Sequence, residues 1–159
     1  MTPQQRAGHF ALPSERDRNQ PPSAEKTRRT EGKQGPPRVL VVEDDFLIAM
    51  QTEIALTTAG FEVVGPATTA EEAVALAGEA QPMLAVMDIR LASTRDGIDA
   101  ARQLYQDFAI RCIFATAHDD AHARGRAEPY APLGWLPKPY TMASLVAVVA
   151  EAVAVLRRP

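Results

Sequence analysis

Residues 38–46, RVLVVEDDF, decide the fold. Four aliphatic residues follow Arg38 without a polar break, and such a run is typical of a strand that is buried on both faces of a parallel sheet. The strand then ends on three neighbouring carboxylates, Glu43, Asp44 and Asp45. Clustered like charges disfavour one another. A hard divalent cation such as Mg²⁺ offsets that cost, because carboxylate oxygens are its usual ligands.

Beyond this segment, short apolar runs alternate with amphipathic stretches. The alternation predicts a doubly wound α/β fold, with five parallel strands between two layers of helices, because βα repeats build such sheets. The stretch 118–132 is predicted to be irregular, since Gly125, Pro129 and Pro132 oppose a long helix. A capping box is predicted at 69–72. The predicted strands are 38–42, 61–64, 83–87, 110–115 and 134–136, and the regular helices are 46–59, 69–80, 98–107 and 142–156.

The first 37 residues differ in composition from the rest of the chain. They carry a net charge of +3 and six of the 13 prolines, whereas residues 38–159 carry a net charge of −6. Such a segment buries too little apolar surface to fold, so we expect a disordered tail over 1–37 and one domain over 38–158. The single cysteine, Cys112, is expected to be a buried reduced thiol. With no signal peptide and no membrane span, a cytoplasmic protein is expected.

Chemically active side chains are predicted at the carboxyl ends of four strands. Ligands of open parallel sheets bind beyond these ends, so the side chains should lie close together. The arrangement predicts a phosphoryl-transfer site, in which Asp88 is the nucleophile and Mg²⁺ and Lys138 neutralise phosphoryl oxygens. The residues concerned are Glu43, Asp44, Asp88, Thr116 and Lys138.

Four motifs carry a resemblance to a known family. They are VVEDD, VMDIRL, FATA and LPKPY, and intervals of 44, 28 and 22 residues separate Asp44, Asp88, Thr116 and Lys138. In these motifs and their order, residues 38–157 resemble the receiver domains of two-component response regulators. The resemblance implies the flavodoxin-like form of the doubly wound fold.

The resemblance also implies a mechanism. Asp88 would accept a phosphoryl group from a phosphohistidine of a sensor histidine kinase or phosphotransfer protein. Asp44, Asp88 and the backbone carbonyl of Arg90 would hold Mg²⁺, and Glu43 would assist through a metal-bound water. Lys138 would pair with Asp88 or with its phosphate.

Further residues would respond to phosphorylation in this family. Thr116 would move toward the phosphate and Trp135 would follow it, and the peptide bond before Pro139 would be cis. A plain core role for Trp135 stays open. We also expect Arg90 and His118 to set the lifetime of the aspartyl phosphate, because both positions line the path of the hydrolytic water in relatives.

Two further assignments concern polar residues near the strand ends. Asp45 is expected to cap a helix or to act as a solvated charge near the metal. His118 and His122, beside Asp119 and Asp120, have a spacing that can bind metal on a helix, but the segment is helix-poor and a solvated loop is the expected interpretation.

The expected function is that of a single-domain regulator, not an enzyme with turnover. Only one helix follows Pro139, and the negative charge of the folded part opposes DNA binding. Output should therefore run through docking to another protein, for which the apolar last helix is a candidate surface. Homodimerisation stays open. The alternatives are a pseudo-receiver that acts without phosphorylation and an aspartate-nucleophile phosphatase of the haloacid-dehalogenase type, which usually needs an aspartate where this chain has Arg90.

Overall fold

The computed structural model describes residues 34–117 and 120–159. In this part of the chain, five parallel strands form one sheet in the order β2-β1-β3-β4-β5. The strands are β1 Arg38–Val42, β2 Glu62–Ala67, β3 Leu84–Asp88, β4 Arg111–Thr116 and β5 Gly134–Pro137. The helices are α1 Phe46–Thr58, α2 Ala70–Ala80, α3 Gly97–Phe108, α4 Ala121–Ala127 and α5 Met142–Leu156, with a 3₁₀ turn at Glu128–Tyr130. The predicted fold class is confirmed.

Two hydrophobic cores lie on opposite faces of the sheet. Alternate residues of β1 point to opposite faces, so Val39 and Val41 pack beneath α1 and α5, whereas Leu40 and Val42 pack beneath α2, α3 and α4. Helix α5 contributes Leu145 and other apolar residues to the first core. Helix α2 contributes mostly alanines to the second core. Because both faces are covered, β1, β3 and β4 are buried except for the half-buried first residues Arg38 and Arg111, as the uninterrupted apolar run of β1 predicts.

The edge strand β2 is longer than predicted. It continues through Gly65-Pro66 to Ala67, although this dipeptide indicates a turn in the sequence. Gly65 has a φ of 101°, and the pairing register with β1 shifts between Leu40 and Val42. An edge strand accommodates a proline, because its missing N–H is not needed by a further strand.

The cap of α2 was predicted only in part. Thr69 is the N-cap and accepts a hydrogen bond from Glu72 N at 3.1 Å. The carboxylate of Glu72, however, accepts from the backbone N–H and the hydroxyl of Thr68, at 2.7 and 2.9 Å. The predicted capping box is therefore wrong in one of its two hydrogen bonds, the one from Thr69 N to the Glu72 carboxylate. Thr68 offers two donors to this carboxylate instead.

The region predicted to be irregular contains a short helix. Helix α4 begins after Asp120, whose carboxylate accepts hydrogen bonds from the backbone N–H groups of His122 and Ala123, both at 3.1 Å. Pro129 lies in the 3₁₀ turn that follows. A good N-cap thus allows one helical run despite Gly125, and the proline ends it. Residues 118 and 119 lie outside the described part of the chain, as do residues 1–33, and with them the expectations for His118 and for most of the tail.

Candidate functional site

Three carboxylates meet at the carboxyl edge of the sheet. One oxygen from each of Glu43, Asp44 and Asp88 lies within 4.8 Å of the other two. Glu43 and Asp88 are buried, with exposed fractions of 5% and 6%. Asp45 turns away from this cluster and caps α1, accepting from Leu47 N at 2.9 Å and Ile48 N at 3.1 Å. The predicted helix-capping role of Asp45 is therefore the one that the structure shows.

The start of α3 packs directly on the backbone of Asp88. Gly97 N donates a hydrogen bond to Ile89 O at 2.8 Å, and a Cβ at position 97 would lie only 2.0 Å from Asp88 O. Only glycine fits so close an approach. The Asp88 side chain is itself held, because Asp88 Oδ1 accepts a hydrogen bond from Arg90 N at 3.2 Å. These contacts fix the direction in which the Asp88 carboxylate faces.

Lys138 supplies the positive charge of the cluster. Its Nζ lies 3.3 Å from Asp88 Oδ2 and 3.7 Å from Glu43 Oε2. Its backbone N donates to Thr116 O at 2.6 Å, which ties the end of β5 to the end of β4. Burial alone would lower the pKa of Lys138, but the charges of Asp88 and Glu43 raise that pKa above its usual value. Lys138 is therefore a fixed cation beside the Asp88 carboxylate.

Burial disfavours the charged form of the Glu43 carboxylate. Burial raises the pKa of Glu43 to about 7, against the opposing effect of a hydrogen bond from Asp45 N. The nearby charge of Asp88 raises the pKa further, and Lys138 lowers it. One lysine does not balance three clustered carboxylates. The cluster therefore has the excess negative charge that a divalent cation would neutralise.

The donor set fits Mg²⁺ in its chemistry. Hard cations take oxygen ligands, and Mg²⁺ is commonly bound by one or two carboxylates with water completing the shell. Asp44 and Asp88 are candidates for direct ligands, and Glu43 for a ligand through water. Ligation by the carbonyl of Arg90 stays a prediction.

A cavity of about 310 Å³ opens beside Asp88. Thr116, 6% exposed, lies at its wall, and Lys138 lines it as well. The cavity is large enough for a phosphoryl group, and it brings the predicted nucleophile, hydroxyl and amine to one space. Its lining residues are Asp88, Ile89, Arg90, Ala115, Thr116, Ala117, Asp120 and Lys138.

Trp135 lies on β5, between two partners from other elements. Its ring stacks on Phe114, with centroids 5.0 Å apart and planes inclined by 25°, and the guanidinium carbon of Arg124 lies 4.7 Å from its ring centroid. The indole is partly buried, at the margin of the core beneath α4. The Lys138–Pro139 peptide bond is cis, which is the isomer that the resemblance implies.

Two residues near the cavity were not recognised from the sequence. Asp120 was expected only as part of a solvated loop, yet it lines the cavity and caps α4. Arg124 was not singled out either, although it contacts the ring of Trp135. The position of Asp120 four residues after Thr116 was the only available signal, because both must lie near the end of β4.

The family model of the response regulator receiver domain matches residues 39–150. The chain belongs to the response regulator receiver family. It is 36% identical over 115 residues to the phyllosphere-induced regulator PhyR of Methylorubrum extorquens, a match that covers 72% of the chain and 42% of PhyR. It is 34% identical over 122 residues to the transcriptional regulatory protein PdtaR of Mycobacterium tuberculosis, a match that covers 77% of the chain and 59% of PdtaR. The receiver thus spans about half the length of these curated relatives.

Solved structures of receivers share the fold. The signal receiver domain of a modulated diguanylate cyclase from Desulfovibrio desulfuricans has a TM-score of 0.70 and 33% identity, covering 77% of this chain and 97% of that one. The anti-anti-sigma factor PhyR of Bartonella quintana has a TM-score of 0.61 and 30% identity, covering 77% of this chain and 49% of that one. These similarities confirm the family that VVEDD, VMDIRL, FATA and LPKPY indicate.

Within residues 34–117 and 120–159, no helix of this receiver has the length and apolar character needed to cross a membrane.

Proposed function

We propose that this receiver accepts a phosphoryl group on Asp88 and passes the signal on by docking to another protein. The observation that carries the proposal is the cavity shared by Asp88, Thr116 and Lys138, beside a carboxylate cluster suited to Mg²⁺. Membership of the receiver family supports the same role.

In the proposed reaction, an oxygen of Asp88 attacks the phosphorus of a phosphohistidine on a sensor kinase or phosphotransfer protein. The new O–P bond forms as the P–N bond breaks, and the imidazole leaves with that electron pair and takes up a proton. Lys138 Nζ, next to Asp88, moves from pairing with the carboxylate to pairing with phosphoryl oxygens. The hydroxyl of Thr116 donates to another phosphoryl oxygen. Bound Mg²⁺ would supply charge neutralisation for these oxygens.

The exposed side of α1 supports docking of a protein donor next to the site. Of the large apolar residues exposed in the described part of the chain, four lie on this helix: Phe46, Leu47, Met50 and Ile54. Phe46 is 74% exposed and follows the acidic cluster by only one residue, Asp45. Single exposed apolar residues are common on protein surfaces, but a contiguous exposed apolar patch often marks a site of interaction with another molecule. We refer to these four residues as the α1 stripe.

The surface beside the α1 stripe is also apolar. A second cavity, of about 370 Å³, lies between α1 and the segment that joins β5 to α5. It is lined by Ile48, Gln51, Lys138, Pro139, Tyr140 and Met142. Because Lys138 lines both cavities, a protein that docks here approaches Asp88. Helix α5, the candidate docking surface, buries Leu145, Val149 and Val153, and among its large apolar residues only Val155 is exposed.

Phosphorylation would act on neighbouring elements through Thr116. This residue ends β4, and Trp135 packs on Phe114 two residues before it. A shift of Thr116 toward the phosphate would therefore alter the packing of Trp135 against β4 and α4. The names of PhyR, as a regulator and as an anti-anti-sigma factor, and of PdtaR, as a regulatory protein, support a regulatory role for this receiver as well.

Turnover as a phosphatase is less well supported. Such an enzyme needs an acid or base two residues after the nucleophile, and this position holds Arg90. A pseudo-receiver is also less well supported, because the nucleophile, the hydroxyl, the amine and the carboxylates for a metal all lie together. The proposed role is that of a phosphoryl acceptor with slow autodephosphorylation, acting in the cytoplasm and without DNA binding of its own.

Incubation with acetyl phosphate and Mg²⁺, followed by intact-mass measurement, tests the proposal. The wild type should gain one phosphoryl group, and Asp88→Asn should gain none. Asp107→Asn, an exposed aspartate on α3, is the matched control and should be modified as the wild type is. An equal adduct on Asp88→Asn would contradict the proposal, and steady release of phosphate from esters would favour the phosphatase.

A further inference from the structure

Helix α4 is held mainly by polar contacts. It has only seven residues, with Gly125 in its interior, and just two of them, Ala123 and Ala127, are buried. Two alanine methyl groups provide little apolar stabilisation. The position of α4 therefore depends on the side chains that connect it to its neighbours.

Arg126 connects α4 to the start of α3. Its guanidinium donates to both carboxylate oxygens of Asp96, at 2.6 and 3.2 Å, and lies 3.4 Å from Asp99 Oδ1. Asp96 and Asp99 form the capping box of α3. Burial would raise the pKa of Asp96, but the hydrogen bonds from Arg126 lower it. A two-pronged arginine–carboxylate contact of this kind fixes orientation as well as distance.

These contacts place α4 relative to the phosphoryl cavity. Arg126 donates to Asp96 and Asp99 at the N-terminus of α3. Gly97, in the same turn, packs on the backbone of Asp88. At its other end, α4 is capped by Asp120, which lines the same cavity as Asp88. On the remaining side, Arg124 contacts Trp135. Helix α4 is thus held on both sides, and its N-cap residue, the negatively charged Asp120, lines the cavity.

A phosphoryl group on Asp88 would meet this charge. It brings a charge of about −1.5 to −2 into the cavity, and like charges at close range repel. We propose that α4 is an electrostatic latch, in which Arg126 holds the Asp120 carboxylate against the phosphoryl cavity and so opposes modification of Asp88. This inference rests on the proposed function, and it identifies Asp120 and Arg126 as positions that set how readily the receiver is phosphorylated.

The latch predicts faster modification when either residue is changed. Asp120→Asn removes the charge but keeps a residue that caps helices well. Arg126→Met removes the contact to α3 and frees α4 to carry Asp120 away from the cavity. The initial rate of modification by acetyl phosphate in saturating Mg²⁺ should rise about two- to five-fold in each variant, the upper range for one exposed charge. The double variant should be no faster than Asp120→Asn, because Arg126 acts through Asp120.

Matched controls separate the latch from a general change in charge. Glu128→Gln makes the same change in net charge at the opposite end of α4, and Arg158→Met removes an exposed arginine at the end of the chain. Both should leave the rate unchanged. If Arg126→Met does not fold, Asp96→Asn weakens the same contact from the other side, because it removes the charge and one acceptor oxygen, and asparagine still caps α3.

The inference and the proposed function fail in different ways. If wild type gains no phosphoryl group, both are overturned. If wild type is modified at Asp88 but Asp120→Asn is no faster than Glu128→Gln, only the latch is overturned. The latch is also overturned if Asp120→Asn is faster while neither Arg126→Met nor Asp96→Asn is, because the contact to α3 would then have no effect.

Discussion

Replacing Glu43 with glutamine should stabilise the metal-free protein at alkaline pH. Burial raises the pKa of this carboxyl from 4.5 to about 7 in the folded protein. A tenfold change in proton affinity corresponds to about 1.4 kcal/mol, so the charged Glu43 costs about 3 kcal/mol of folding free energy well above pH 7. Below about pH 4.5 the carboxyl is protonated in both the folded and the unfolded states, and this cost disappears.

The sign of the effect follows from proton binding. Between pH 4.5 and 7 the folded state holds more protons than the unfolded state at this group, so wild-type stability falls as the pH rises. Glu43→Gln lacks this group, and Gln can still accept the hydrogen bond from Asp45 N. The variant should therefore be more stable than wild type at pH 8.5 and show little difference at pH 4, below the pKa of the carboxyl in both states.

Urea unfolding in EDTA, followed by the fluorescence of the single tryptophan, measures the effect. With a urea dependence of about 1.5 kcal/mol/M, 3 kcal/mol corresponds to a midpoint higher by about 2 M at pH 8.5. Glu79→Gln, an exposed glutamate on α2, is the control for a simple change of charge. Parallel pH profiles for wild type and Glu43→Gln would refute the reasoning, because the buried carboxyl would then cost nothing.

Four other predictions follow from the same geometry. Mg²⁺ should bind more weakly to wild type as the pH falls below about 7, since Glu43 takes up a proton, and calorimetry in two buffers should detect proton release on binding. Gly97→Ala should lower the free energy of unfolding by about 1–3 kcal/mol or more, as measured in urea, because its Cβ would meet Asp88 O. Phe46→Ser with Ile54→Ser should slow phosphoryl transfer from a cognate kinase several-fold and leave modification by acetyl phosphate unchanged. Lys138→Met should slow modification of Asp88, as followed by intact mass, without abolishing Mg²⁺ binding.

The sequence predicts best those features that local chemistry determines. The bounds of β1 and α5 are confirmed, because an unbroken aliphatic run and a capped apolar helix each have one simple interpretation. The convergence of Asp88, Thr116 and Lys138 follows from the topology, since parallel strands bring their carboxyl ends to one edge. The family follows from the order and spacing of four motifs.

Features that depend on tertiary packing were less accessible. Apolar residues lie all around α1, so the pattern did not reveal that Thr52 faces the core while Phe46 faces solvent. The composition of α5 left open whether an apolar face is exposed or packs on the sheet, and the structure buries Leu145, Val149 and Val153 against the sheet. The bounds of α4 were not predicted, because Gly125 and Pro129 oppose a long helix there, and the contacts of Arg124 and Arg126 that support the short helix come from distant segments.

A crystal structure with Mg²⁺ and beryllium fluoride, a mimic of the phosphoryl group, tests the central claim most directly. The beryllium should be bonded to an oxygen of Asp88, and its fluorides, which mimic phosphoryl oxygens, should be contacted by the Thr116 hydroxyl and Lys138 Nζ, with the metal held by the neighbouring carboxylates. Beryllium bonded to any other carboxylate, or a metal held away from Glu43, Asp44 and Asp88, would contradict the account.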